Sequence, residues 1–184
     1  MSQFAQWVDA HPDDVVVVPM NAVRVVSLDE MFAVGTKGLG ACSAIIIASL
    51  HGAIVAHIPP RPTPSMSDPS AGDNNIRRLM AEVTTLYMCH RDEYFSSPTD
   101  TVIVWALYQG AIALPDQVQI MHSALERLGP SVETYEVPGN GSNAGQGTVL
   151  AIGSRGLASS GLPNTNVRAR IYVEGQQYVP RPQS

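Results

Sequence analysis

The 184-residue chain has few cysteines, few basic residues and no uninterrupted apolar run, and each shortage excludes a class of protein. Two cysteines, Cys42 and Cys89, are too few for a disulfide framework, which favours a reducing, intracellular compartment. Eleven Lys and Arg against sixteen Asp and Glu argue against binding to nucleic acid or to an anionic membrane. The longest apolar stretch, residues 41–58, is broken by serine, glycine and histidine, so it predicts a hairpin and no membrane span.

The first residues and the composition together predict a cytoplasmic protein of one domain. No basic segment followed by an apolar one opens the sequence, so we expect no signal peptide, although export without a leader stays open. Hydrophobic residues make up 45% of the chain, enough for a sizeable core at this length. Since no repeat or linker divides the sequence, we expect a single domain over residues 1–184.

Short β-branched runs and two amphipathic segments along the chain predict an α/β (α+β) fold. We expect mixed, largely antiparallel β-sheets packed as a sandwich and flanked by helices over residues 74–90 and 115–128. Three irregular segments are expected: a Pro-rich loop over residues 59–72, a Gly/Asn/Ser loop over residues 139–145 and a disordered tail over residues 180–184. The predicted strands cover residues 15–18, 23–27, 31–34, 43–48, 53–58, 101–108, 132–137, 148–152 and 170–173.

A cysteine after a glycine-rich turn, with a histidine fifteen residues later, is the pattern in this sequence that points to catalysis. Residues 35–42 read Gly-Thr-Lys-Gly-Leu-Gly-Ala-Cys, and the apolar segment that follows leads to His57. A thiol needs a base or a positive neighbour to act as a nucleophile at neutral pH, and a hairpin is a direct way to bring one across. We therefore predict that Cys42 is a nucleophile and that His57 is its general base.

The turn of this hairpin decides whether the two side chains share a face. A turn centred on residues 49–50 places Cys42 directly opposite His57, with Cβ atoms roughly 5 Å apart. A turn centred on residues 50–51 pairs Ala44 with His57 and leaves Cys42 on the same face, one diagonal step away. A three-residue turn would separate Cys42 and His57 onto opposite faces, because side chains alternate along a strand. The catalytic hypothesis therefore requires an even-residue turn or a bulge.

The glycines beside Cys42 favour a catalytic interpretation over a structural one. Gly35, Gly38 and Gly40 allow a substrate to approach the backbone closely and can direct N–H groups at a developing oxyanion. Against this, cysteine is among the most buried residue types, and a histidine in an apolar strand is often a core residue bonded to backbone. The histidines show no metal-ligand spacing, so we predict no metal site.

Thr36, the Gly40-Ala41-Cys42 turn and His57 together resemble the active-site pattern of the cysteine glutamine deamidases. That superfamily includes the chemoreceptor glutamine deamidases and the catalytic domains of the cytotoxic necrotizing factor and Burkholderia lethal factor type. Several members carry a threonine six residues before the cysteine, as Thr36 precedes Cys42 here. The resemblance covers only the segment from Thr36 to His57, and Ala41 replaces the commoner serine or glycine. The whole chain also resembles uncharacterised fungal proteins.

The resemblance implies a protein-glutamine deamidase with a deamidase-like fold and no cofactor. Cys42 would attack the side-chain amide of a glutamine in a protein partner, His57 would act as the base, and Thr36 would orient the histidine. Contacts to the oxyanion or the substrate would come from Gly38, Gly40 and Ala41. Two alternatives stay open: a non-catalytic interaction module with Cys42 and His57 as core residues, and a cysteine peptidase or small-molecule amidase with the same triad.

Overall fold

The computed structural model describes residues 3–63, 67–137, 147–161 and 167–180 of the chain. Two β-sheets pack face to face with helices on both outer sides, which confirms the predicted α+β sandwich. The helices are α1 (Gln3–Ala10), α2 (Ala71–Tyr94), α3 (Pro115–Leu125), which continues as a 3-10 turn (Glu126–Leu128), and α4 (Ser154–Ser159). The strands are β1 (Val15–Val17), β2 (Ala22–Ser27), β3 (Ala33–Thr36), β4 (Ser43–Ala48), β5 (Gly52–Ile58), β6 (Asp100–Tyr108), β7 (Ala111–Ile112), β8 (Ser131–Glu136), β9 (Val149–Ile152), β10 (Arg170–Val173) and β11 (Gln176–Gln177).

The strands are divided between two mixed sheets. The first sheet has the order β1-β3-β9-β10-β11, and the second has the order β2-β5-β4-β6-β7 with β8 also paired to β6. Neighbouring strands run antiparallel except for β1 with β3 and β6 with β8, which are parallel. Because β8 pairs with residues of β6 that also pair with β4, it occupies the opposite edge of β6. This arrangement places β4 and β5 in the middle of the second sheet.

Three clusters of buried side chains give the molecule four layers. One cluster lies between the sheets, the second packs the outer face of the second sheet against α2 and α3, and the third packs the first sheet against α1 and α4. Alternation along β4 shows the division, because Ile46 faces the other sheet while Ile45 and Ile47 face the helices. Burial on both faces explains why β4 and β5 have nearly continuous apolar sequences.

The long helix extends beyond its predicted ends. It begins at Ala71 instead of residue 74, so the Pro-rich loop predicted for residues 59–72 ends at residue 70. Ser70 takes the N-cap position, and Asp73 lies in the first turn, where the helix dipole favours a negative charge. The helix continues to Tyr94, since no glycine or proline intervenes before that residue, and the Tyr94 ring stacks on His90. Among the described residues, no helix combines the length and apolar character needed to cross a membrane.

Two short helices were not predicted from the sequence. In α1, Phe4 and Trp7 have helical spacing and pack on the first sheet, but eight residues give a weak periodic signal. Glycine and serine give α4 a low intrinsic helix propensity. Its position depends on tertiary packing, because Gly156 lies so close to Phe32 that a β-carbon would overlap the Phe32 carbonyl. The predicted loop over residues 139–145 and the tail beyond Pro180 lie outside the described residues.

Candidate active site

The β4–β5 hairpin determines which side chains share a face with His57. Its turn is centred on residues 50–51, and the Ser49 N–H donates to the Gly52 carbonyl at 2.9 Å. Ala44 consequently pairs with His57, which is the second of the three registers considered above. Cys42, two residues before Ala44, lies on the same face as His57 and one diagonal step away. This face packs against the other sheet.

His57 is held from across the sandwich by Thr36, the last residue of β3. The Thr36 Oγ1 atom lies 2.7 Å from His57 Nδ1. Both side chains are buried, with 0% of Thr36 and 3% of His57 exposed to solvent. Since β3 and β5 belong to different sheets, this hydrogen bond links the two sheets through the apolar interior. The structure thus brings together two of the three residues predicted to form the triad.

The hydrogen bonds of Thr36 determine which nitrogen of His57 carries the proton. Thr36 Oγ1 donates its only proton to the Val18 carbonyl at 2.7 Å, so toward His57 it accepts. Nδ1 is therefore the protonated nitrogen of the neutral ring, and Nε2 keeps its lone pair. Burial lowers the pKa of His57 below its ordinary value of 6.5, although the Val18 carbonyl partly opposes this shift. The imidazole is therefore neutral at pH 7.

The second ring nitrogen of His57 is buried without a hydrogen-bond partner among the described residues. Leaving a buried acceptor unpaired costs on the order of 1–3 kcal/mol, and buried polar groups in folded proteins are usually satisfied. A basic lone pair on a ring whose orientation is fixed by Thr36 has the features that a general base requires. The unpaired Nε2 atom is thus the strongest chemical feature of this site.

Cys42 is buried in the apolar cluster between the sheets and makes no hydrogen bond to His57 Nε2. Burial raises the pKa of its thiol to about 11. At neutral pH the resting pair is therefore a protonated thiol and a neutral imidazole, since the pKa of the cysteine is raised and that of the histidine is lowered. No thiolate–imidazolium pair is found in the described part of the chain.

The loop before Cys42 contains the residues predicted to contact an oxyanion. Gly38 and Gly40 adopt φ angles of 68° and 57°, in the left-handed region that glycine tolerates, and both are exposed, as is Ala41. The Cys42 N–H donates to the Leu39 carbonyl at 2.6 Å, so the amide of Cys42 itself is already engaged. An oxyanion site in this loop would therefore depend on the amides that precede Cys42.

Tyr135 on β8 is a residue of this site that the sequence analysis missed. Its hydroxyl donates its single proton mainly to the Cys42 carbonyl, and the Gly40 carbonyl, at 3.2 Å, is a second and more distant acceptor of that proton. A tyrosine within a strand ordinarily indicates packing, so no local pattern marks it as part of a cysteine loop. Its position follows only from the parallel pairing of β8 with β6, far from Cys42 in the chain.

Pro60, Arg61 and Pro69 of the predicted Pro-rich loop lie on the helical side of the second sheet. The Pro60 carbonyl accepts a hydrogen bond from Gln117 Nε2 at 2.9 Å. Pro60, Arg61 and Pro69 line a cavity of about 270 Å³ beside the first turns of α2 and α3. His57 points instead into the space between the sheets, so these described prolines and the histidine lie on opposite sides of the second sheet.

The lowered pKa of His57 predicts how stability depends on pH. Below about pH 6.5 the His57 side chain of the unfolded chain binds a proton, whereas the buried ring of the folded protein resists protonation. The contribution of neutral His57 to the free energy of unfolding is therefore complete above that pH and is lost as the pH falls. We expect the Tm of the wild type to fall more steeply between about pH 6.5 and 4.5 than that of His57→Asn, which keeps an N–H donor for Thr36. Thermal melts across this range, with the exposed His122→Asn as control, test this. Parallel curves for wild type and His57→Asn would contradict it.

Within the described ranges, no group of three His, Cys, Asp or Glu side chains is placed to hold a metal ion. No protein-family model matches the chain, and no curated protein matches it.

Proposed function

We propose that the protein is a cysteine-dependent amidohydrolase that converts glutamine in a protein substrate to glutamate. The observation that carries this proposal is His57 Nε2, a buried lone pair without a described partner on a ring whose tautomer Thr36 fixes. Cys42 is the nearest nucleophile on the same face of the hairpin, by the register of β4 and β5. The resemblance of residues 36–57 to the cysteine glutamine deamidases supports glutamine as the substrate.

The neutral resting pair favours general-base catalysis over a preformed thiolate. The side chain of Cys42 has one torsion, and rotation about it moves Sγ across the face that it shares with His57. Nε2 then removes the thiol proton as Sγ attacks the carboxamide carbon of the substrate. Since the thiol pKa of about 11 lies far above that of imidazole, proton transfer is favourable only together with formation of the S–C bond.

The remaining steps conserve atoms and charge without a cofactor. The tetrahedral oxyanion collapses, the C–N bond breaks, and the protonated His57 delivers its Nε2 proton to the departing nitrogen as ammonia forms. A water molecule, deprotonated by Nε2, then attacks the thioester carbon and releases glutamate and the Cys42 thiol. An amine in place of water would give transglutamination through the same thioester.

The rival proposal is a non-catalytic interaction module in which Cys42 and His57 are core residues. The observation that favours it is the burial of the thiol and the resulting pKa of about 11, which is unusual for an activated cysteine. In that case the Thr36–His57 hydrogen bond serves only to join the sheets. The module and the enzyme differ in one measurable property, the His57-dependent reaction of Cys42 with a glutamine-like electrophile.

A turnover assay with a glutamine substrate and a labelling assay with a glutamine-like electrophile test the proposal directly. We expect the wild type to release ammonia from benzyloxycarbonyl-glutaminyl-glycine or casein, with conversion of glutamine to glutamate in the mass spectrum and no peptide-bond cleavage. We also expect a chloromethyl ketone analogue of glutamine to label Cys42 and to spare the exposed Cys89. Fragments without ammonia would support the peptidase alternative. Absence of both turnover and Cys42 labelling would support the interaction module.

A further inference from the structure

We propose that Tyr135 is a positioning residue that orients the backbone of the cysteine loop, residues 37–42, so that the Ala41 amide points toward the developing oxyanion. This inference rests on the proposed function and assigns a role in it to a side chain on a different strand. The loop and β8 are brought together by the fold, with Tyr135 buried in the cluster between the sheets beside Cys42.

One hydroxyl proton lies between two carbonyls of this loop. Tyr135 Oη donates it mainly to the Cys42 carbonyl oxygen, and the Gly40 carbonyl oxygen, at 3.2 Å from Oη, is the more distant acceptor of the same three-centre hydrogen bond. Because Gly40 is exposed and has a φ of 57°, the local backbone has no side-chain packing at that position to hold its peptide plane. The phenol is only 3% exposed, so water does not compete effectively for these two carbonyls.

The orientation of the Gly40 carbonyl determines the direction of the next amide. All peptide bonds of the described chain are trans, so the C=O and N–H groups of one peptide unit point in opposite directions. With the Gly40 carbonyl directed at Tyr135, the Ala41 N–H points away from the phenol. The Cys42 N–H is engaged by the Leu39 carbonyl at 2.6 Å. Of the amides of residues 41 and 42, only that of Ala41 is without a partner among the described residues, so we assign it as the oxyanion donor.

A second anchor keeps the loop in place when the phenol hydroxyl is removed. The Leu39 N–H donates to the Gly147 carbonyl at 3.1 Å, and the Gly147 N–H donates to Glu174 Oε1 at 2.9 Å. Leu39 is also buried, at 1% exposure. Loss of the Tyr135 hydroxyl should therefore release the peptide planes at Gly40 and Cys42 without detaching the loop from the body of the protein.

Tyr135 remains a donor throughout the pH range of an activity assay. The pKa of its hydroxyl is raised, mainly by burial. Electrostatic repulsion from the ionised forms of Cys42 and Glu174 raises this pKa further. The phenol therefore stays protonated when the active-site histidine is neutral.

The test compares two electrophiles on Tyr135→Phe, which keeps the buried ring and removes only the hydroxyl. A chloromethyl ketone analogue of glutamine reacts through a tetrahedral oxyanion. In iodoacetamide, by contrast, the sulfur displaces iodide directly at the CH₂ carbon, and no oxyanion forms. We expect labelling of Cys42 by the chloromethyl ketone to slow roughly 10- to 100-fold, and labelling by iodoacetamide to be unchanged or faster. Ammonia release should show a lower kcat with KM within about twofold.

Tyr178→Phe is the matched control, because it removes another phenol hydroxyl, which donates to Ser131 Oγ at 2.7 Å at the other end of β8. We expect this variant to keep the wild-type ratio of the two labelling rates. Equal slowing with both electrophiles in Tyr135→Phe would indicate a merely structural role, and unchanged rates would also overturn the inference. If the chloromethyl ketone does not label wild-type Cys42 at all, the proposed function itself fails, which separates the two results.

Discussion

Replacing Cys42 with alanine should reduce ammonia release from glutamine by on the order of a thousandfold or more, because no thioester can form without the sulfur atom. The substitution removes one buried atom from the cluster between the sheets, and we expect a loss of stability of about 1 kcal/mol. Folded protein should therefore be available for the assay. The measurement is kcat/KM for benzyloxycarbonyl-glutaminyl-glycine, with the fold checked by circular dichroism.

Cys89→Ala is the matched control for this experiment. Cys89 is exposed on α2, on the far side of the second sheet from the cysteine loop, so its loss should leave ammonia release at the wild-type rate. If Cys42→Ala retains wild-type turnover, the nucleophile is another residue and the proposed mechanism is wrong. If both variants lose turnover equally, the effect does not come from the site formed by Cys42 and His57.

The hairpin that presents Cys42 and His57 was largely predictable from the sequence. The bounds of β4 were predicted as observed, because its apolar run is flanked by serine and by a turn. The register between β4 and β5 could not be chosen from the sequence, since residues 49–50 and 50–51 are both reasonable centres for the turn. The observed turn is stabilised by Ser49, whose hydroxyl accepts from the His51 and Gly52 amides at 3.1 and 3.2 Å. Such side-chain bonds are specific to the folded turn and are hard to infer from composition.

The contacts made between the sheets were much less predictable. Thr36 and His57 are 21 residues apart, and the resemblance suggested their pairing, but their placement on two different sheets depends on how β3 and β5 are distributed between the sheets. Tyr135 is separated from Cys42 by four strands and two α-helices, so no spacing rule connects them. Long-range packing of this kind is determined by the assembled sheets and leaves little local trace.

The protonation state of Cys42 depends on burial, which the sequence alone did not specify. The glycine-rich loop is compatible with an exposed, activated thiol, but the thiol lies in the inter-sheet cluster. Desolvation therefore dominates, and the pKa of the thiol is raised to about 11. Any attack by Cys42 would therefore require removal of its proton by a base, the role proposed for His57. The proposed mechanism consequently depends on the base more strongly than it would with a preformed thiolate.

Substitutions at His57 and Thr36 should separate the base from the residue that orients it. His57→Asn keeps an N–H near the position of Nδ1 for Thr36 and removes the basic Nε2, so we expect kcat to fall about 10²- to 10⁴-fold. Thr36→Val has nearly the same shape, removes the hydroxyl and leaves Nε2 in place, so a smaller loss of roughly 10-fold is expected together with a destabilisation of about 1–3 kcal/mol. Steady-state kinetics and thermal melts of both variants provide the measurements.

The double variant distinguishes a catalytic unit from a structural link between the sheets. If Thr36 acts on the reaction only through His57, its substitution should cost almost nothing further in kcat once Nε2 has been removed. If the pair only joins β3 to β5, both single variants should lower the Tm while leaving the turnover of folded protein unchanged. Independent, multiplicative losses of kcat would instead mean that Thr36 affects the site by a route other than the histidine. The structure favours the first result, because the Thr36 hydroxyl, already donating to Val18, contacts His57 only as an acceptor for the Nδ1 proton.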